Sequence, residues 1–164
     1  MKVFSLDISP KCTGWCFYNG KSFKFGTIET NKKADLVERL CEFKKKLTKL
    51  LDKLKPSHIV IEEPFFGRNI KVCMLLSYYG GVAQATVYDV LKVKPFIISN
   101  KKVKSYFKAK TKEDLFCVWD NDEWTFKKDN DISDALGQLM CYCDDILGIK
   151  KFKKETEYGV KYEC

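Results

Sequence analysis

Apolar and polar positions along the chain follow two rhythms. Short apolar runs at 2–8 (KVFSLDI), 12–18 and 22–28 read as strands. The last two are joined through Asn19-Gly20, the signal of a tight two-residue hairpin, so the chain should open as an antiparallel three-stranded meander. From Asp35 to Leu54 the spacing turns helical: Leu36, Leu40, Phe43, Leu47, Leu50, Leu51 and Leu54 line one face, and lysines take the other. Pro56 stops that helix. Residues 58–62 (HIVIE) form a compact strand ending in a carboxylate, followed by a Pro-Phe-Phe-Gly break. A second helix is predicted from about Asn69 to Leu91; Gly80-Gly81 inside it suggests close packing against another backbone or a local break. Residues 93–98 read as a fifth strand, 101–112 as a lysine-dense segment, 113–128 as unassigned, and 131–147 as a last helix. The order β-β-β-α-β-α-β-α predicts an α/β fold, a five-stranded mixed sheet with helices on its faces.

Composition narrows the function classes. At 164 residues the chain is one domain, expected over 1–150 with a charged tail at 151–164, and able to bury roughly 70% of its unfolded surface. With 45% apolar and 14% aromatic residues it is globular rather than disordered. Thirty basic residues against 22 acidic ones give a net charge of +8, which points to an acidic partner such as nucleic acid. Only Arg39 and Arg68 are arginines, so the positive field is made of lysine point charges, suited to phosphates rather than to reading guanine. No stretch of 18 apolar residues exists and the N-terminus does not read as a signal peptide, so a cytoplasmic protein without membrane association is expected. The eight cysteines lack paired C-x2-C spacing, and His58 is the only histidine, so a structural zinc site is disfavoured and buried reduced thiols are expected.

Carboxylates at element ends carry the chemistry. Asp7 lies near the end of the first strand and Glu62 ends the fourth. Asp131 and Asp134 open the last helix at i and i+3, outside its apolar face, with Gln138 beside them. Singly, each reads as a helix cap, a partner of the helix dipole or a turn residue. Jointly, they would converge if the first and fourth strands are neighbours. Clustered carboxylates repel unless a divalent cation compensates them. Hard oxygen ligands suit Mg2+ or Mn2+, and two such ions can activate water and stabilise the leaving oxygen in phosphodiester cleavage.

The segments LDISPKCTGW (6–15), VIEEPFFGRN (60–69), VK (103–104) and DISDALG (131–137) together resemble the RuvC family of Holliday junction resolvases, in order over nearly the whole chain. The chain's size and divergence are closer to a compact phage or viral member than to a typical bacterial one. The resemblance implies an RNase H-like fold and a homodimer that nicks four-way junctions symmetrically, leaving 5′-phosphate and 3′-hydroxyl ends. It implies that Asp7, Glu62, Asp131 and Asp134 hold two Mg2+ or Mn2+ ions per subunit and that Lys104 acts near the scissile phosphate. Phe65, with Phe66 adjacent, falls where the family has a base-stacking aromatic; core packing is the competing reading. Lys108, Lys110 and Lys112 are candidates for a second family lysine, and Arg68, Lys101 and Lys102 complete the candidate DNA contacts. Thr13-Gly14 resembles a small turn in the family's first hairpin. Three departures stand out: Ile8-Ser9-Pro10 after the first acid, Glu63 where many relatives have a neutral amide, and SYFKAKTK in place of a glycine-rich loop. The rivals are a catalytically impaired junction-binding protein and another RNase H-like nuclease acting on flaps or RNA–DNA hybrids. An actin-like phosphotransferase is disfavoured by length.

Overall fold

A computed structural model describes residues 1–64, 67, 69–108, 130–149 and 152. Strands β1 (Val3–Asp7), β2 (Cys12–Tyr18) and β3 (Phe23–Glu29) form the predicted meander, and helix α1 (Leu36–Leu54) leads to β4 (His58–Glu62). Helix α2 (Ile70–Leu91), strand β5 (Phe96–Ile98), helix α3 (Asn100–Tyr106) and helix α4 (Asn130–Cys141) follow, α4 running into a π-helical turn at Tyr142–Ile146. The sheet order is β3-β2-β1-β4-β5. Strand β1 is therefore central, antiparallel to β2 and parallel to β4.

Strand alternation sorts the side chains between two cores. Phe4, Leu6, Ile59, Ile61 and Phe17 pack with Phe43, Leu47 and Leu51 of α1 and with Tyr79, Ala83 and Val87 of α2. Val3, Cys16, Val60 and Ile98 face the other way, against Val103 and Tyr106 of α3 and Ile132, Leu136, Leu139 and Met140 of α4. All of β1 is buried, as a strand covered on both faces must be. By the same two-residue period, Asp7 of β1, Glu62 of β4 and Gly14 of β2 belong to the α4 side.

Local chemistry sets the element ends. Asp35 Oδ1 accepts from the Glu38 N–H at 2.9 Å and caps α1, which closes at left-handed Lys55 immediately before Pro56. Asn69 caps α2 through the Val72 N–H, and Ser99 caps α3 through the Lys102 N–H.

Several predicted details differ. The β2–β3 connection is a four-residue loop, because Asn19 Oδ1 accepts from the N–H groups of both Lys21 and Ser22 and Gly20 takes φ +97°. The fifth strand is only three residues long, since Pro95 has no N–H to give a ladder. The lysine-dense segment begins as helix α3. Helix α2 runs unbroken through Gly80-Gly81; a Cβ at Gly80 would meet only Pro64 at 3.6 Å, and one at Gly81 nothing within 4 Å. Thr13 and Gly14 lie inside β2 rather than in a turn. Cys16, Cys73, Cys141 and Cys143 are buried and in no disulfide among the described residues, but Cys41 is exposed and Cys12 half-buried. Burial raises the Cys16 thiol far above its ordinary range and Cys143 to about 12, which leaves both unreactive.

Residues 113–128 lie outside the described residues, as does the tail apart from Phe152. That ring is fully buried against Tyr18 and Phe23, and its N–H donates to Asp144 Oδ1 at 3.2 Å. Phe152→Ala should therefore lower stability by about 3–5 kcal/mol, as for other buried phenylalanines. Urea unfolding followed by circular dichroism checks this; a change under 1 kcal/mol would mean that Phe152 is not part of the core.

Candidate active site

Two adjacent parallel strands end in acids. The β1–β4 register pairs Leu6 with Ile61, so the next step sets Asp7 beside Glu62 on the α4 side. A side-chain hydrogen bond joins the two carboxyls. Helix α4 reaches this point because β2 carries a glycine there. Gly14 pairs with Asp7 across the antiparallel ladder, and a Cβ on it would lie 2.1 Å from the Asp131 carbonyl oxygen. Only a residue without a side chain admits the first turn of α4 so close. Lower down, Ser5 Oγ donates to the Ala135 carbonyl at 2.6 Å, fixing the helix along β1.

The consequence is electrostatic. Asp7 is buried, and its pKa is raised well above the ordinary carboxylate range. Burial is the largest cause, followed by the hydrogen bond to Glu62 and then by the charges of Glu62, Asp134 and Asp131. The four predicted acids are brought into mutual influence around Asp7.

Amides hold Glu62 from two sides. Asn100 Nδ2, at the start of α3, donates to Oε1 at 3.0 Å. Gln138 Nε2, on α4, donates to Oε2 at 3.3 Å. Neither amide was assigned a role by the sequence, although Gln138 falls on the same helical flank as Asp131 and Asp134, seven and four residues on. Arg39 is a second unassigned contributor. Its guanidinium donates to the Pro10 carbonyl and to Thr30 Oγ1, and lies over the Tyr79 ring, tying the loop after Asp7 to α1 and α2. Thr13 Oγ1 closes that loop from the other side by donating to the Ser9 carbonyl at 3.1 Å.

Among the described residues, no three His, Cys, Asp or Glu side chains are gathered tightly enough to hold a cation by themselves. The donor chemistry nevertheless fits a hard divalent ion: all four acids offer oxygen, and the crowding that raises the Asp7 pKa is what a cation would relieve. Glu63 is exposed beside Glu62; with Ile8, Glu62, Pro64 and Leu76 it lines a cavity of about 70 Å3. Lys101, Lys102 and Lys104 stand on α3 and Lys108 just beyond it. Phe65, Phe66, Arg68, Lys110 and Lys112 lie outside the described residues.

The family model described as Crossover junction endodeoxyribonuclease RuvC matches residues 18–116. That span holds Glu62 and Lys104; Asp7 precedes it, and Asp131 and Asp134 follow it. A curated protein of that description from Alkaliphilus metalliredigens is 30% identical over 134 residues, covering 76% of this chain and 80% of the relative. One from Ehrlichia ruminantium is 27% identical over 164 residues, covering 93% of this chain and all of the relative. Among solved structures, Thermus thermophilus RuvC in complex with Holliday junction substrate aligns with a TM-score of 0.73 at 16% identity, over 90% of this chain and 96% of that one. The likeness shows the RNase H-like fold predicted above.

The raised Asp7 pKa gives a signed expectation for stability in EDTA. The folded protein retains a proton that the unfolded chain releases near its ordinary value of 3.8, so Asp7 disfavours folding increasingly as pH rises above that point. Asp7→Asn should unfold at a higher temperature than the parent at pH 7, by at least ~3 °C, and match it near pH 3. Thermal unfolding across pH 3–8 reads the difference. A gap that stays constant with pH would remove Asp7 as its source.

Proposed function

The chain belongs to the RuvC family of crossover junction endodeoxyribonucleases, and on that premise we propose that it is a divalent-metal-dependent endonuclease that nicks branched DNA, resolving four-way Holliday junctions by paired cuts. The observation that carries the reading is the Asp7–Glu62 pair at the ends of adjacent strands, with Asp131 and Asp134 raising Asp7. In this reading Asp7, Glu62, Asp131 and Asp134 are the ligands of Mg2+ or Mn2+, two ions per subunit. The bound ions supply the Lewis-acid charge that makes water nucleophilic at neutral pH and stabilises the leaving oxygen. A cation held there would favour the ionised form of Asp7, so loading would become more favourable as pH rises. Lys104 contributes a point charge at the scissile phosphate as negative charge builds there. Lys101, Lys102 and Lys108, with Lys110 and Lys112, track the phosphate backbone, and Phe65 stacks on a base at the branch, with Phe66 and Arg68 alongside. The products carry 5′-phosphate and 3′-hydroxyl ends.

Paired cuts need two sites. The outer face of α2 exposes Met74, Tyr78, Gly81, Ala85 and Tyr88 at spacings of four and three, an apolar stripe not covered within the subunit. It supports a two-fold dimer through α2, with Gly81 leaving room for the partner helix. Residues 1–150 act as one nuclease domain in this reading. Among the described residues no helix is long and apolar enough to cross a membrane, and no disulfide joins the six described cysteines. Free thiols suit a reducing compartment, and we assign the protein to the cytoplasm, the host's if the gene is viral or phage-borne.

The assay uses labelled four-way junction, flap, RNA–DNA hybrid and plain duplex with Mg2+, Mn2+ or EDTA. Metal-dependent cutting of the junction is expected; cutting of the hybrid or flap alone would overturn the resolvase reading, and metal-independent junction binding without incision would indicate a binding module. Asp7→Asn and Glu62→Gln should abolish incision yet retain junction binding in EDTA. Lys104→Ala should slow incision about 10²–10³-fold. For the dimer, Tyr78→Glu and Gly81→Arg should yield a folded monomer by light scattering; dimers of both variants would exclude the α2 face.

A further inference from the structure

Gln138 is almost wholly buried, at 2% exposure, yet only one end of its amide is satisfied. Its nitrogen donates to Glu62 Oε2, while its Oε1 has no hydrogen-bond partner among the described residues. A buried acceptor without a donor destabilises a fold. A thioether of similar length would fill the same volume without that cost, so the fold itself gains nothing from an amide at this position. What the amide adds is its contact with the acid.

Asn100 completes the arrangement from the opposite helix, donating to Glu62 Oε1. Each carboxylate oxygen has two lone pairs. The amides occupy one on each oxygen, and the remaining pair on each is available to Asp7 or to a cation. With both oxygens engaged by donors on different helices, the carboxylate cannot turn about its last bond without breaking one contact or both. The two amides also link the acid to other parts of the site. Gln138 shares the α4 flank of Asp131 and Asp134, and Lys104 stands one helical turn beyond Asn100, on the same face of α3.

We propose that Gln138 and Asn100 are positioning residues that fix the plane of the Glu62 carboxylate between α4 and α3. The carboxylate is then oriented before a cation arrives, and Lys104 is held at a set separation from it. Partners that orient a metal ligand typically alter metal affinity about 10–100-fold when removed. This inference rests on the reading of Glu62 as a metal ligand.

The test uses Gln138→Met and Asn100→Ala in the full chain, with Glu62→Gln as reference. Mn2+ binding is measured by calorimetry, and thermal unfolding is measured in EDTA. Gln138→Met should bind Mn2+ about 10-fold more weakly or worse, while its unfolding temperature in EDTA stays level or rises because the unpartnered acceptor is gone. Its single-turnover cleavage of junction should recover when Mn2+ is raised, with junction affinity in EDTA unchanged. Asn100→Ala, at an exposed position, should show the same direction with a smaller effect. If Glu62→Gln loses Mn2+ binding while both amide variants keep the parental affinity within two-fold, the positioning role is overturned. If Glu62→Gln itself binds Mn2+ like the parent, the metal-ligand reading is what fails. Should Gln138→Met not fold, Asn100→Ala decides alone: weakened Mn2+ binding upholds the proposal and parental binding rejects it.

Discussion

The contact between the first turn of α4 and the backbone of β2 at Gly14 is the constraint on which the site depends. The Asp131 carbonyl occupies space that any side chain at Gly14 would claim. Since Gly14 is the ladder partner of Asp7, the same residue that admits the helix also sets its height over the strand end. The Ser5–Ala135 hydrogen bond then aligns the helix with β1, so the register of α4 is fixed at two points. From that register follows the presence of Asp131 and Asp134 near Asp7. Crowding like charges around a buried carboxyl is unfavourable, and burial together with those charges raises the Asp7 pKa.

Charge is arranged in two regimes. The strand ends are acidic and only partly buried, whereas α3 carries partly or fully exposed lysines. Of the two arginines, Arg39 is engaged internally, joining the loop after Asp7 to Thr30 and the Tyr79 ring. Among the described residues the α3 surface carries lysine, which attracts phosphates without the planar geometry that distinguishes one base pair from another. In the proposed dimer, selectivity would rest on the shape of the nucleic acid and on the spacing of two active sites. That is the logic expected of an enzyme acting at branches.

Much of this architecture was legible in the sequence because strong periodicity and sharp punctuation coincide. The α1 stripe from Asp35 to Leu54 and the stop at Pro56 marked a helix whose bounds the structure matches closely, and the opening meander was read from its strands. The acids were legible because each ends an element. Less legible were features decided by tertiary partners. Helix α3 was hidden by its lysines, although the Ser99 cap and the Val103–Tyr106 spacing marked it. The hairpin opened to four residues through a side-chain bond that the dipeptide rule does not anticipate. The π-helical turn after Cys141 left no signal; within it, Asp144 lies buried, bonded to Tyr106 and Phe152. Asn100 and Gln138 were illegible as site residues because an amide announces nothing until its acceptor is in place.

The bond between Ser5 and Ala135 has a further consequence in time. Its two ends are 130 residues apart in the chain, which at about 5–20 residues per second on a ribosome separates their synthesis by roughly 7–25 seconds. Strand β1 must wait that long for the helix that covers its acid-bearing side. During the interval the nascent chain carries Asp7 and the lysines of α3 without the D-x-x-D turn. A chain interrupted before α4 is thus a basic fragment that holds Asp7 and Glu62 but neither Asp131 nor Asp134. Chain connectivity itself delays incision until the fold can be closed.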